Sequence, residues 1–299
     1  MATHCNSMSR LASIEQALRL YFSSELSVQD AEDSAQFRAQ MLRDDNKDTD
    51  SGVGVKEEGD KRTGLAPVHR VLVGVSGAPY AAQLAVILYA WHETGVNPLQ
   101  SITPDSEASA LAIEGVTPEF TSRQAVLAVS VDAIRTFVAG VQRDEEENVL
   151  KATASLVGEI GGARGVLTLL GFQQTVGSRS LAPLTLHQCL AAFTQRFTPG
   201  EPLSVGARAF SKHCARSSSG WWGELKGNDA AKNERAESKV RDVLASATWK
   251  NIHSLPHAHA TMEVRNALGY GARWDAETRT FRGFLEPPMV NGHETKWRH

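Results

Sequence analysis

Apolar positions recur at helical spacing over most of the chain and switch to simple alternation only near its C-terminus. Leu11, Ile14, Leu18 and Tyr21 share a helical face, with Ser13 and Gln16 at capping-box spacing. Phe37 and Met41 form the i,i+4 pair of a second helix over roughly 28–42. Val126, Val129, Ala133, Phe137 and Val141 keep the 3.6 period, as do Val149, Thr153, Leu156 and Ile160. Gly161-Gly162 ends that second stripe, and a short third one over Val166, Leu169 and Leu170 closes at Gly171. Leu186, Leu190, Phe193 and Phe197 make another behind a Thr185/Gln188 capping box. Ser204 caps a helix through Cys214, and a further helix runs from about Asp229 to Ala247. Beyond Pro256 the period falls to 2. Met262 and Val264 alternate with Glu263 and Arg265; Tyr270, Ala272 and Trp274 alternate with Gly271 and Arg273. Phe281, Gly283 and Leu285 alternate with Arg282 and Phe284. This predicts an α+β fold: mostly helical N-terminal and central regions, and a C-terminal antiparallel three-stranded meander packed on helices. Gly269 and Gly271 in the middle strand predict a bulge or a close backbone approach.

Two segments interrupt the pattern. Arg43 to Gly64 carries Asp44-Asp45-Asn46-Lys47-Asp48 and Lys56-Glu57-Glu58-Gly59-Asp60-Lys61-Arg62 with only Val53 and Val55 apolar. Such a stretch buries too little surface to offset its ordering entropy and reads as a linker. Val71-Leu72-Val73-Gly74-Val75-Ser76-Gly77 resembles the opening of a phosphate-binding turn. Its glycines fit neither G-x-G-x-x-G nor G-x-x-x-x-G-K-[ST], so a plain strand–turn–helix is expected. The domain organisation read from this is an N-terminal helical arm over 1–42, a charged linker over 43–66, a mainly helical domain over 67–197 and an α+β domain over 198–299.

Composition adds an asymmetry. The 299 residues carry a net charge of −3, but residues 201–299 hold 15 Lys/Arg against 11 Asp/Glu. Seven of ten histidines lie at or after His187 and five of six tryptophans at or after Trp221. Such a surface can hold anions, metals or flat rings. Three cysteines without a C-x-x-C pair exclude a disulfide scaffold and suggest a reducing, cytoplasmic setting. The longest apolar run, Ala78 to Trp91, is too short to cross a bilayer, so no membrane partner is expected.

Candidate chemistry therefore concentrates in the last hundred residues. Arg265, Arg273 and Arg282 fall on three successive predicted strands, close enough to converge on one phosphate or carboxylate, with Tyr270 and Trp274 beside them to stack on a ring. Glu263 and Glu286 offer the alternative, a structural ion-pair network with those arginines. His253, His257 and His259 cluster, and His257-x-His259 with His293 could contribute metal ligands, although the spacing leaves that set incomplete. His257 is the candidate acid or base. The acidic run Asp144-Glu145-Glu146-Glu147 sits at a helix start, where the macrodipole accounts for it.

Two resemblances add family-level expectations. Ala133-Ile134-Arg135-Thr136-Phe137, Asp144-Glu145-Glu146-Glu147-Asn148 and Gly162-Ala163-Arg164-Gly165 through Leu169-Leu170-Gly171-Phe172 resemble the PUB domain over about 130–197. That likeness implies a peptide or protein partner for the central helices, several PUB domains gripping the tail of a hexameric segregase ATPase. Trp221-Trp222-Gly223, Trp249 to His257, Gly269-Tyr270-Gly271-Ala272-Arg273-Trp274, Phe281 to Pro287 and Gly292-His293-Glu294 resemble an uncharacterised conserved family of unknown function (DUF3228), which implies a fold unit and no activity. The leading expectation is an intracellular protein whose C-terminal domain binds a small anionic or nucleotide-like ligand of unknown identity. The alternative is a non-catalytic adaptor with a PUB-like module. Nucleic acid is set aside, because +4 over a hundred residues is a weak basic signal.

Overall fold

A computed structural model describes residues 2–45, 71–102, 126–142, 145–175, 177–217, 219–254 and 259–288. The apolar stripes become helices: α1 (Ala2–Ser23), α2 (Ser34–Leu42), α3 (Tyr80–Thr94), α4 (Pro98–Ile102), α5 (Val131–Val141), α6 (Glu146–Glu159) and α7 (Gly162–Leu169). Three more, α8 (Leu186–Thr194), α9 (Val205–Arg216) and α10 (Asp229–Ala245), lead into the sheet. Its strands are β1 (Ala247–Ser254), β2 (Ala260–Asn266), β3 (Gly271–Asp275) and β4 (Phe281–Leu285), antiparallel in the order β1-β2-β3-β4. The α+β class is as expected, but the sheet has four strands where the sequence suggested three. The missed strand is β1. Lys250 and Asn251 sit at its middle, so neither face presents the apolar row that marks a half-buried strand.

Helix starts follow side-chain chemistry. Ser130, Ser204 and Asn228 accept from the backbone N–H of Ala133, Ala207 and Ala231, and Thr185 with Gln188 forms the expected reciprocal box. Ser13 does not cap: α1 runs through it, and its hydroxyl donates back to Ser9 O at 3.0 Å. The second helix begins at Ser34 behind an Asp33 cap, because Val28 takes a left-handed φ of 43° in the preceding turns. The expected strand at 71–75 is absent as well. There Gly74, at φ +84°, donates to Ala247 O (2.7 Å) and Val75 donates to Leu244 O (2.8 Å). A Cβ at Gly74 would stand 2.6 Å from Ala245 O, so this segment is a clamp on the α10–β1 junction and not a phosphate turn.

One face of the sheet builds the core. Met262, Val264, Ala272, Trp274, Phe281 and Phe284 meet Phe193, Phe210, Trp222, Val240 and Val243 from α8, α9, α10 and the loop between the last two. Lys250 also lies on this side, buried, and donates to Gly74 O (2.8 Å) and Val71 O (3.3 Å). Burial pulls its pKa down to about 7. The α7 stretch that carried the PUB likeness is buried along most of its length, so it is core and presents no groove.

The outer edge of β1 is occupied. Gln173 N donates to Lys250 O, Arg179 N to Ile252 O and Ser254 N to Gly177 O, at 2.7–2.8 Å. Arg179 also grips Glu32 and bonds Ser254 Oγ, tying the N-terminal helices to the same strand. The expected linker is described only at 43–45. Asp45 there is buried and accepts from the Thr185 hydroxyl. Residues 46–66 lie outside the described residues. Among the described residues, no helix is long and apolar enough to cross a membrane.

Candidate functional site

The strand alternation that builds the core also aims a second row of residues the other way. Trp249, Asn251 and His253 of β1 pair in register with Arg265, Glu263 and Thr261 of β2, which pair in turn with Gly271, Arg273 and Asp275 of β3. At the centre is Glu263. Arg265 Nε donates to its Oε1 at 2.6 Å, and His253 Nε2 stands 3.4 Å from its Oε2. Burial pushes the Glu263 pKa up, but His253 and Arg265 outweigh it and hold the carboxyl at about 2. The carboxylate is ionised at any ordinary pH. His253 Nε2 is buried and makes no well-aligned hydrogen bond among the described residues.

The three predicted arginines share this face but do different work. Arg265 is committed: beyond Glu263, its Nη1 donates to Gly269 O (2.7 Å) and Glu286 O (2.8 Å). Gly271 opposite makes room for it, since a Cβ there would lie 2.3 Å from Val264 O and 2.8 Å from Arg265 Cγ. This is the close approach expected at that glycine. Arg282 is 44% exposed and reaches Asp275 Oδ2 at 3.4 Å, while Asp275 Oδ1 caps the following turn. Arg273 lies between them, directly across from Glu263 and half-buried. Among the described residues its guanidinium makes no hydrogen bond and no ion pair. Burial lowers its pKa, the Glu263 charge opposes that, and Arg282 and Arg265 add repulsion.

Tyr270 and Trp274 are not part of this face. Being one residue out of phase with Arg273, they point into the helix layer. Trp274 is fully buried and its indole N–H donates to Cys189 O at 3.0 Å. Tyr270 stacks on Trp221 at 4.2 Å between ring centres. The expectation that either would stack on a ligand ring fails on geometry. Glu286 pairs with His213 (2.9 Å) and the Trp222 indole (2.8 Å) instead of an arginine side chain. His259 is 57% exposed and sits 3.4 Å from Asp275 Oδ2. His257 and His293 lie outside the described residues. Among the described residues, no group of three or more His, Cys, Asp or Glu is placed to hold a metal ion.

The pair that sequence reasoning missed is His253 with Glu263. Each was noticed, one within a histidine cluster and one as an arginine partner, but only β1 brings them together. The signal was present in Trp249, Asn251 and His253 alternating with Lys250 and Ile252.

Residues 195–286 match a protein family described as the CdiA C-terminal tRNase toxin domain. The match spans β1–β4, α9 and α10, under a third of the chain. No curated protein and no solved structure matches it. This finding displaces both resemblances drawn from short motifs. Among the described residues, the stretches likened to a family of unknown function fall mainly on the strands of this sheet and the aromatic residues packed on it. The small-ligand and adaptor expectations fall with them, and so does the dismissal of nucleic acid. The net +4 averages over a hundred residues, whereas the charges that bear on a phosphate are gathered on one sheet face.

Proposed function

We propose that the chain is a ribonuclease acting on tRNA and that the polar face of its sheet is the catalytic surface. The observation that carries this reading is Arg273, a half-buried cation without a partner among the described residues, set against an ionised carboxylate inside the tRNase-like stretch. A half-buried guanidinium without a carboxylate on it is free to take an anion, and a backbone phosphate is such an anion. Seated on Arg273, the phosphate lies beside Glu263 and His253.

RNA supplies its own nucleophile, the 2′-hydroxyl. Glu263 accepts the hydroxyl proton as the 2′-oxygen bonds to phosphorus. The bond to the 5′-oxygen breaks, and His253, in its protonated form, donates to that leaving oxygen. The products are a 2′,3′-cyclic phosphate and a 5′-hydroxyl. A carboxylate held at about 2 is a weak base, but the arriving phosphate neutralises Arg273 and so raises its proton affinity. Arg265, spent on three acceptors, orients Glu263 and does not bind substrate.

Incubation of the full chain with total tRNA tests the proposal. Cleavage leaving 5′-hydroxyl ends is expected, with Glu263→Gln and His253→Gln each lowering the rate by about a hundredfold or more. Intact tRNA with the wild-type chain, or wild-type cleavage by Glu263→Gln, overturns it.

A further inference from the structure

The tRNase-like stretch begins at residue 195, yet β1, which carries His253, is held from outside that stretch. Within 195–286 alone β1 would be an edge strand, paired only with β2. In the whole chain Phe172–Thr175 and Gly177–Arg179 lie along its free edge. Phe172 bridges Lys250, Ser178 bridges His253, and main-chain bonds at 2.7–2.8 Å continue to Ser254. Side chains extend the attachment. Asn251, fully buried and directly across from Glu263, donates from Nδ2 to Thr175 Oγ1 and accepts at Oδ1 from Ser178 Oγ, both at 2.8 Å. Ser178 Oγ accepts in turn from Thr175 N at 2.9 Å, so the three residues close a ring of hydrogen bonds.

From this we infer that Thr175 and Ser178 are positioning residues for the His253–Glu263 pair, acting through Asn251 and the pinned backbone of β1. The inference rests on the nuclease reading of that face. His253 Nε2 stands 3.4 Å from Glu263 Oε2 and off the hydrogen-bond line, so a displacement of a few tenths of an ångström decides how that imidazole meets its carboxylate. His253 is also the penultimate residue of β1. Strand ends fray unless both edges are paired, and here the second edge is the upstream segment. Glu263 is the charged group nearest the imidazole, with Arg265 and Arg273 behind it. Arg179 lies on the other side, bound to Ser254 and to Glu32. A small tilt of β1 therefore changes the field on His253 as well as its distance.

The test uses full-length Ser178→Ala and Thr175→Val with the conservative pair Ser178→Thr and Thr175→Ser. Two readouts are taken: the pH profile of total-tRNA cleavage, and the His253 titration followed by NMR on histidine-labelled protein, assigned with His253→Gln. Loss of either hydroxyl is expected to slow cleavage by about tenfold or more and to move the His253 midpoint by about half a pH unit. The hydroxyl-retaining variants restore both. A lowered Tm with the midpoint and the pH profile unmoved in Ser178→Ala and Thr175→Val overturns the inference and leaves these residues as scaffold. Should Glu263→Gln cleave like the wild type, the nuclease reading fails. The NMR midpoint then still decides whether Thr175 and Ser178 position His253.

Discussion

The two faces of the sheet come from the same strands, one residue apart, and they are finished to different degrees. On the helix side every large group is satisfied: Trp274 has both its cavity and an acceptor for its N–H, and Phe281 and Phe284 pack edge-on against Phe193. On the other side, among the described residues, Arg273 has no hydrogen-bonded partner and His253 Nε2 has no aligned one. Stability selects the first pattern and gives no reason for the second. The contrast is what the proposed function rests on: the unfinished face lies within the stretch that matches a tRNase family. On one face the buried Glu263 is surrounded by cations and on the other the buried Lys250 by carbonyls, so the faces respond differently to pH.

Breaking the finished face has the largest effect. Trp274→Ala removes a fully buried indole and leaves Cys189 O without its donor, for an expected loss of about 3–5 kcal/mol. Denaturant unfolding measures it, and a loss below about 1 kcal/mol would mean that this side of the sheet is not the core.

The pH responses come next. Between pH about 7 and the ordinary lysine value of 10.5, the folded chain holds fewer protons on Lys250 than the unfolded chain. Stability should therefore rise with pH across that window, by up to about 5 kcal/mol, and Lys250→Met should flatten the rise. Glu263 acts at the acid end. Its ion pairs contribute fully above its ordinary value of 4.5 and are lost as pH falls through about 2, a difference of about 3 kcal/mol. Glu263→Gln should remove that part of the acid transition in a pH-dependent melt.

What the sequence disclosed follows the same division. Alternation at Met262/Val264, Ala272/Trp274 and Phe281 marked three strands because an apolar row on one face is a strong signal. It already separated Tyr270 and Trp274 from Arg273, which alternates with them along one stretch of chain. The stacking expectation ignored that separation. β1 was hidden because its core-facing residues include Lys250, whose burial depends on carbonyls at Val71 and Gly74, about 180 residues away in sequence. Without β1, His253 could not be placed beside Glu263. The Thr185/Gln188 box was legible because capping is local, whereas the partners of Glu263 are set by register between strands, which no local pattern encodes.

The unfinished face yields a smaller energetic effect with a sharper signature. Arg273→Ala should slow tRNA cleavage by about a hundredfold while the folded protein stays as stable as the wild type or becomes slightly more stable. Removing an unpaired cation relieves repulsion from Arg265 and Arg282 and recovers its desolvation cost, against the loss of attraction to Glu263. Activity assays with parallel thermal melts read both quantities. A marked drop in Tm would place Arg273 among the satisfied scaffold groups and erase the distinction between the faces.

Arg282 marks the open end of that face and carries the smallest expected effect. Its side chain is exposed and shares Asp275 with His259 at 3.4 Å, so the pair contributes little to folding. Arg282→Ala should change stability by no more than about 0.5 kcal/mol. Its charge acts on the approaching RNA, whose phosphates extend beyond the one being cleaved. KM should therefore rise a few-fold with kcat nearly unchanged, because a contact equal in ground and transition states moves binding alone. Repeating the KM measurement at rising salt separates this from a local packing defect. The slope of log affinity against log salt should fall by about one if Arg282 meets a phosphate. An unchanged slope with a lowered kcat would instead move Arg282 inward, to a role beside Arg273 at the reacting phosphate.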